Sequence, residues 1–118
     1  MREAPFIRLR NLNDGAITEE ISLHNELLVG RDSGCGVHIP EKSVSRKQCR
    51  IYFDGEVKVE NMSNTNITRL NERPLTEPGK LAAGNKLECG RVTLLVVEIS
   101  FAKDKSEDLH NLTVYANV

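Results

Sequence analysis

No apolar run in this sequence approaches the length of a membrane span. The longest, VTLLVV at 92–97, is only strand-sized, which argues against a membrane partner. The N-terminal MREAPFIRLR lacks the basic-then-apolar order of a signal peptide, so an intracellular address is expected. Cysteine is scarce: Cys35, Cys49 and Cys89 make an odd number with no close pair. That excludes a disulfide framework and predicts reduced, buried thiols. Neither sign of charge dominates, since the formal net charge is −1 over 118 residues. A dedicated nucleic-acid binder would usually be basic overall, so nucleic acid is not expected as a direct partner. With 39% hydrophobic and 28% charged residues, the composition is that of an ordinary single globular domain.

Signatures of catalysis are missing as well. No Ser, Cys or Thr sits in a nucleophile-elbow context, and no phosphate-type glycine loop precedes a helix. The three histidines, His24, His38 and His110, are scattered, so neither an enzyme nor a cofactor is expected. Cys35-Gly-Val-His38 has metal-ligand spacing, and Cys49 and Cys89 could complete a zinc set on paper. The second pair lacks close spacing, and the simpler reading is two buried strand cysteines and one exposed histidine, with no metal.

What is present has a period of two. In CRIYF, Cys49, Ile51 and Phe53 share one face; in EVKVE, Val57 and Val59 point inward. Asp54-Gly55 lies between these runs and predicts a hairpin, because Asp-Gly supplies the positive φ angles of a tight primed turn. FIRLR, turning at Asn13-Asp14-Gly15 into AITEEISL, predicts a second hairpin. LLVG at 27–30 is a further strand, and KLECG and VTLLVVEISF flank a turn at Gly90-Arg91. In that last strand Leu95, Val97, Ile99 and Phe101 are expected to share a face. No stretch makes a convincing amphipathic helix, so the chain reads as an all-β sandwich. The charged segment AKDKSEDLH at 102–110 separates this body from NLTVYANV, which alternates like one more strand. The expected division is a domain over 1–101 and a charged spacer with a strand-like tail over 102–118. Such a tail could cover its own sandwich edge or contact a second copy in a homodimer.

Two regions carry candidate chemistry. Gly30-Arg31 leaves a strand for a loop, and Ser43-Val-Ser45-Arg46-Lys47 precedes the next strand, within a decade (41–50) that nets +3. Two such loops at one end of a sandwich would carry hydroxyls and cations suited to a phosphate: Arg as a planar fork, Ser as a neutral donor. The other region is NMSNTNITRLN, residues 61–71, with four asparagines and no bulky aromatic. Asn61-Met-Ser, Asn66-Ile-Thr and, further on, Asn111-Leu-Thr are glycosylation-type triplets, but modification would need a secretory route that nothing else in the chain supports.

Gly30-Arg31, then Ser45-Arg46-Lys47-Gln48, then NMSNTNITRLN resemble, in order and spacing, the three signature segments of the forkhead-associated (FHA) domain: Gly-Arg, Ser-Arg-x-His, and Ser-x-Thr-Asn-Gly-Thr-x-x-Asn. Cys35 and Ile39 also fall where the family often has Cys and an aliphatic residue. The resemblance spans about residues 5 to 101. It implies an FHA-type sandwich of about eleven strands that binds phosphothreonine peptides through loops at one end. By position, Arg31 and Ser45 would contact the phosphate, and Arg46 the phosphate or the peptide backbone, with Lys47 beside it. Thr65 would help close the phosphothreonine pocket and Asn66 would hydrogen-bond the peptide main chain. Gly30, Gln48 and Asn71 would be scaffold. Two positions depart from the pattern. Gln48 stands where the family has a histidine that braces the loops, and Gln can still donate and accept. Ile67 replaces the glycine after Asn66; a β-branched residue disfavours positive φ, so this turn must take another path. The resemblance implies a phosphothreonine-dependent binding module of nuclear, DNA-damage or cell-cycle signalling, and a start at Met1 leads to the expectation of the N-terminal module of a longer scaffold protein. The alternative is an FHA-fold dimerisation module that has drifted from phosphate reading.

Overall fold

The computed structural model describes residues 3–101, and among them there is no helix. Eleven strands form two sheets. They are β1 (Pro5–Asn11), β2 (Ile21–Ser22), β3 (Leu27–Gly30), β4 (Val37–His38), β5 (Cys49–Phe53) and β6 (Val57–Asn61), followed by β7 (Arg69–Leu70), β8 (Arg73–Pro74), β9 (Gly79–Lys80), β10 (Lys86–Cys89) and β11 (Val92–Phe101). The six-stranded sheet runs β2-β1-β11-β10-β7-β8 and the five-stranded sheet β4-β3-β5-β6-β9. The all-β sandwich expected from the alternation is what forms. The tail expected at 102–118 lies outside the described residues.

The alternating side chains meet between the sheets. Ile7, Leu9, Val29, Cys49, Ile51, Val59, Leu87 and Cys89 are fully buried, with Val44, Leu94 and Val96 close behind. Each large aliphatic side chain buried there contributes roughly 1.5–3 kcal/mol. All three thiols are free and buried, as their spacing predicts. Cys49 on β5 and Cys89 on β10 face each other across the sheets. The neighbouring Cys89 thiol, and then burial, hold the Cys49 thiol well above its ordinary range, which keeps it protonated and unreactive at neutral pH.

β5 and β6 pair in the hairpin that Asp54-Gly55 predicts, but its loop has three residues rather than two. Phe53 is opposite Val57, Gly55 takes φ 107°, and the Asp54 carboxylate accepts from Glu56 N at 3.2 Å. The second hairpin also forms, with a broken return: after Gly15 (φ 80°) only Ile17 bridges to Arg10 before β2 pairs with β1. β11 differs from the expectation. Val92, Leu94 and Val96 face the core, while Val97 is exposed. Arg8 is opposite Glu98 but Leu9 is opposite Val96, so Val97 is an extra residue in the ladder. This bulge reverses the phase, and Ile99 turns back against the core. Leu95 and Val97 therefore do not share a face with Ile99 and Phe101.

The fold gathers several loops at one end. β3 runs toward that end, β5 starts there and β6 ends there. The excursion 31–36 leaves β3 and returns as β4, which lies parallel to it. The segment 40–48 and the loop 62–68 rise beside it. The β10–β11 turn at Gly90-Arg91 closes the same end from the other sheet, since Arg91 N donates to Ser43 Oγ at 2.8 Å.

Candidate functional site

At its base the loop cluster is backbone docked on backbone. Arg31 N donates to Ser45 O at 2.9 Å and Asp32 N to Arg46 O at 3.1 Å. This contact passes directly over Gly30, where a Cβ would lie far inside van der Waals distance of the Arg46 carbonyl. Glycine is required here by close approach, not by φ. Cys35 adds an Sγ–H bond to Arg46 O at 3.3 Å. Burial, and then Asp32, raise its thiol above the ordinary range.

Gln48 sits beneath the loops, fully buried. Its Oε1 accepts from Ser45 N at 2.9 Å, and its Nε2 donates to Asn66 O at 2.8 Å and to Thr68 Oγ1 at 3.0 Å. One carboxamide thus ties together both loops that flank the candidate pocket. It does so with one acceptor and two donors, a set that an imidazole ring cannot match in full. Every polar atom of the side chain has a partner, which is the condition for burying it without a large penalty.

Above Gln48 lies a cluster of hydroxyls. Ser45 Oγ is 2.6 Å from Ser63 Oγ and 3.1 Å from Thr65 Oγ1. Ser63 Oγ also accepts from Thr65 N at 3.2 Å and Asn66 N at 3.0 Å. Asn66 reaches across to donate from Nδ2 to Ser43 O at 2.6 Å, while its Oδ1 is buried with no partner. Arg31 is exposed overall, yet its Nε donates to Val44 O at 2.9 Å. That bond orients the guanidinium and leaves the two terminal nitrogens with no hydrogen bond among the described residues. Arg46 and Lys47 are exposed, and neither belongs to an ion pair among the described residues.

The structure therefore brings Arg31, Ser45, Thr65 and Asn66 into one hydrogen-bonded cluster, with Arg46 and Lys47 on its rim and Gly30 and Gln48 below. Asn71 is placed elsewhere. At φ 50° it forms the β7–β8 turn, donating from its N to Lys86 O at 2.8 Å and accepting from Lys86 N at Oδ1 at 2.9 Å. It fixes that turn to β10 and makes no bond to the cluster. Ile67 keeps negative φ, because only Asn71 and Glu72 among the described non-glycine residues have positive values. The turn is held instead by Asn61, whose Oδ1 accepts from Thr68 N and Thr68 Oγ1, both at 2.9 Å, and from Ser63 N at 3.3 Å.

From the sequence, Ser43 reads only as one of the hydroxyls of the 43–47 loop, and Ser63 and Thr68 are not singled out as site residues. Ser63 and Thr68 do lie in the signature stretch, at its Ser and second Thr, and that was the available signal. Ser43 precedes the Ser45-Arg46 motif, and its role depends on a turn 48 residues away. Ser43 Oγ donates to Glu41 Oε2, and Ser43 N does so at 2.7 Å. These bonds, from the hydroxyl first, hold the Glu41 carboxyl below its usual range. No group of three or more His, Cys, Asp or Glu side chains suited to a metal is found among the described residues.

The loop end thus has hydroxyls at its centre, cations at its rim and a braced pair of loops below. The FHA domain family model matches residues 27–90, more than half of the chain, and the chain belongs to the FHA family of phosphothreonine-binding protein-interaction modules. Solved structures agree in fold. A structure from work on phosphothreonine-dependent FHA domain interactions is 23% identical, with TM-score 0.69, covering 79% of this chain and 96% of that one. The FhaA FHA domain, solved with the intracellular domain of Rv3910, is 23% identical with TM-score 0.67, covering 76% and 98%. The FHA domain of an Arabidopsis thaliana hypothetical protein is 23% identical with TM-score 0.70, covering 83% and 86%. No curated protein sequence gives a significant match.

Proposed function

We propose that this domain binds a phosphothreonine-containing segment of a partner protein at the loop end and performs no chemistry on it. The observation that carries the reading is the convergence of Arg31, Ser45, Thr65 and Asn66 from three separate segments, with the Arg31 terminal nitrogens free. Arg31 would meet the phosphate oxygens with its guanidinium fork. Ser45 and Thr65 would exchange their mutual hydroxyl contacts for charge-assisted ones, and Arg46 and Lys47 would supply further positive field. Each charge-assisted contact contributes roughly 1.5–3 kcal/mol. Asn66, a half-buried side chain at the edge of the cluster, would hydrogen-bond the ligand main chain with its carboxamide. Preference for threonine over serine would rest on one buried methyl, about 0.8 kcal/mol.

The test is calorimetry against a degenerate phosphothreonine library and then its best member. A micromolar ligand is expected, roughly −8 kcal/mol, with the unphosphorylated peptide too weak to measure. If well-folded protein binds no phosphorylated peptide, the reading fails and the dimerisation module, with association through the 102–118 tail, takes its place. Light scattering on the full chain and on a chain ending at Ser100 then tests that association. The wider setting, a nuclear scaffold in DNA-damage or cell-cycle signalling, is part of the same proposal and is supported by the family resemblance alone. Imaging of the tagged full-length protein tests it.

A further inference from the structure

We propose that Glu41, Ser43 and the Gly90–Arg91 turn form a brace that positions Asn66, and so govern ligand affinity without touching the ligand. The inference rests on the reading of Asn66 as a ligand contact. A carboxamide is planar, so fixing Nδ2 fixes where Oδ1 points. Nδ2 is fixed by one acceptor, the Ser43 carbonyl at 2.6 Å, and Oδ1 is left buried and unpartnered. The direction of that free acceptor therefore depends on where the Ser43 carbonyl stands.

The peptide that carries that carbonyl is tied by Val44 N, which donates to Glu41 O at 2.9 Å, and three further contacts from two directions hold Ser43 itself. From its own loop, Glu41 Oε2 accepts from both the N and the Oγ of Ser43. From the other sheet, Arg91 N donates to Ser43 Oγ at 2.8 Å. The turn can come this close only because residue 90 is glycine. Gly90 has φ 63°, and a Cβ there would overlap the carbonyl and the hydroxyl of Ser43. The Ser43 hydroxyl thus joins a carboxylate to a backbone N–H of the opposite sheet, and its carbonyl passes the resulting position to Asn66. The favourable field of Arg91 on Glu41 supports the arrangement.

The experiment uses the full chain with Glu41→Ala, Glu41→Gln, Ser43→Ala, Asn66→Ala and the Glu41→Ala/Asn66→Ala double variant. Affinity for the best library phosphothreonine peptide is read by calorimetry, and the Asn66 side-chain amide resonance is read in ligand-free protein. Glu41→Ala and Ser43→Ala should each weaken binding roughly tenfold, the scale of one net hydrogen bond, and shift the Asn66 amide resonance. Glu41→Gln, which keeps an acceptor, should restore most of both. The double variant should bind no worse than Asn66→Ala alone, because the brace acts through Asn66. Unchanged affinity with an unmoved resonance overturns the proposal, and so do additive losses in the double variant. Should either alanine variant fail to fold, the other carries both readouts. If the wild-type protein binds no phosphothreonine peptide, the ligand reading fails separately. The resonance then decides the brace: displacement in Glu41→Ala with return in Glu41→Gln upholds it, and no displacement overturns it.

Discussion

Two regions of this sandwich treat positive charge in opposite ways. On β5, β6 and β9 every cation is paired: Arg50 with Glu26 and Glu60, Lys58 with Asp54, and Lys80 with Glu56, at 2.6–3.0 Å. Arg50 also lies 4.1 Å over the Tyr52 ring. At the loop end, Arg31, Arg46 and Lys47 have no carboxylate partner among the described residues. The first region neutralises its charge on itself, and such exposed pairs add little to stability. The second leaves charge for something else to neutralise, and it spends its hydrogen bonds on holding the loops that carry that charge. A chain with a formal net charge of −1 can therefore present a local anion site without a general affinity for polyanions.

The largest effect that would break this contrast is on ligand binding. Arg31→Ala should lower affinity for a phosphothreonine peptide roughly 10- to 150-fold, the equivalent of 1.5–3 kcal/mol, with little change in melting temperature. Calorimetry and a thermal melt check both halves. Next comes the support of the loop end. Gln48→Ala leaves Ser45 N, Asn66 O and Thr68 Oγ1 short of a partner in a buried site, and should cost about 1–3 kcal/mol. A thermal melt should show it as a drop of roughly 4–8 °C per kcal/mol. Gln48→His, which can keep one acceptor and one donor, should cost less.

Acid should separate ligand from scaffold. The second ionisation of a phosphothreonine lies near pH 6, so affinity should fall as pH drops from about 7 to 5. The Glu41 carboxyl is depressed by its Ser43 bonds. Its stabilisation is present above the unfolded carboxylate range, about pH 4.3, and is lost only as pH falls through the lower folded value. Between pH 7 and 5 calorimetry should therefore register weaker binding while a urea melt registers no loss from this group. The smallest effect belongs to the paired region. Lys58→Ala should leave affinity unchanged and barely move the melting temperature. A measurable loss of binding would mean that the two regions are not independent.

The period-two alternation made most of the fold legible, because side chains of a half-buried strand must alternate. Cys49 and Ile51, and Val57 and Val59, face the core as their spacing requires. The bulge at Val97 was not legible. Nothing in VTLLVVEISF marks it, since a bulge is a property of two strands in register and not of one. The size of the Asp54-Gly55 loop was hidden for a similar reason: glycine gave the positive φ, but the closing residue depends on pairing. At the candidate site, the signature residues and the buried role of Gln48 were readable from position. The asparagine-rich stretch was readable as a braced loop, though not in its wiring, in which one asparagine, Asn61, holds both Ser63 and Thr68. Ser43 was out of reach, because its hydroxyl works against the backbone of a turn distant in sequence.

Gly30 and Arg31 are chain neighbours with opposite modes of failure. Any side chain at 30 pushes against the Arg46 carbonyl, a backbone atom with no freedom to yield, so overpacking there separates the 31–36 excursion from the 44–46 segment. In a saturation library scored once for soluble, folded yield and once for ligand capture, position 30 should lose both scores with almost every substitution. Position 31 should keep the first and lose the second. A single step along the chain thus divides variants that remove the protein from those that leave it intact but deaf to its partner. The second kind is the more useful tool, because a folded, silent copy can still occupy every other contact that its parent molecule makes.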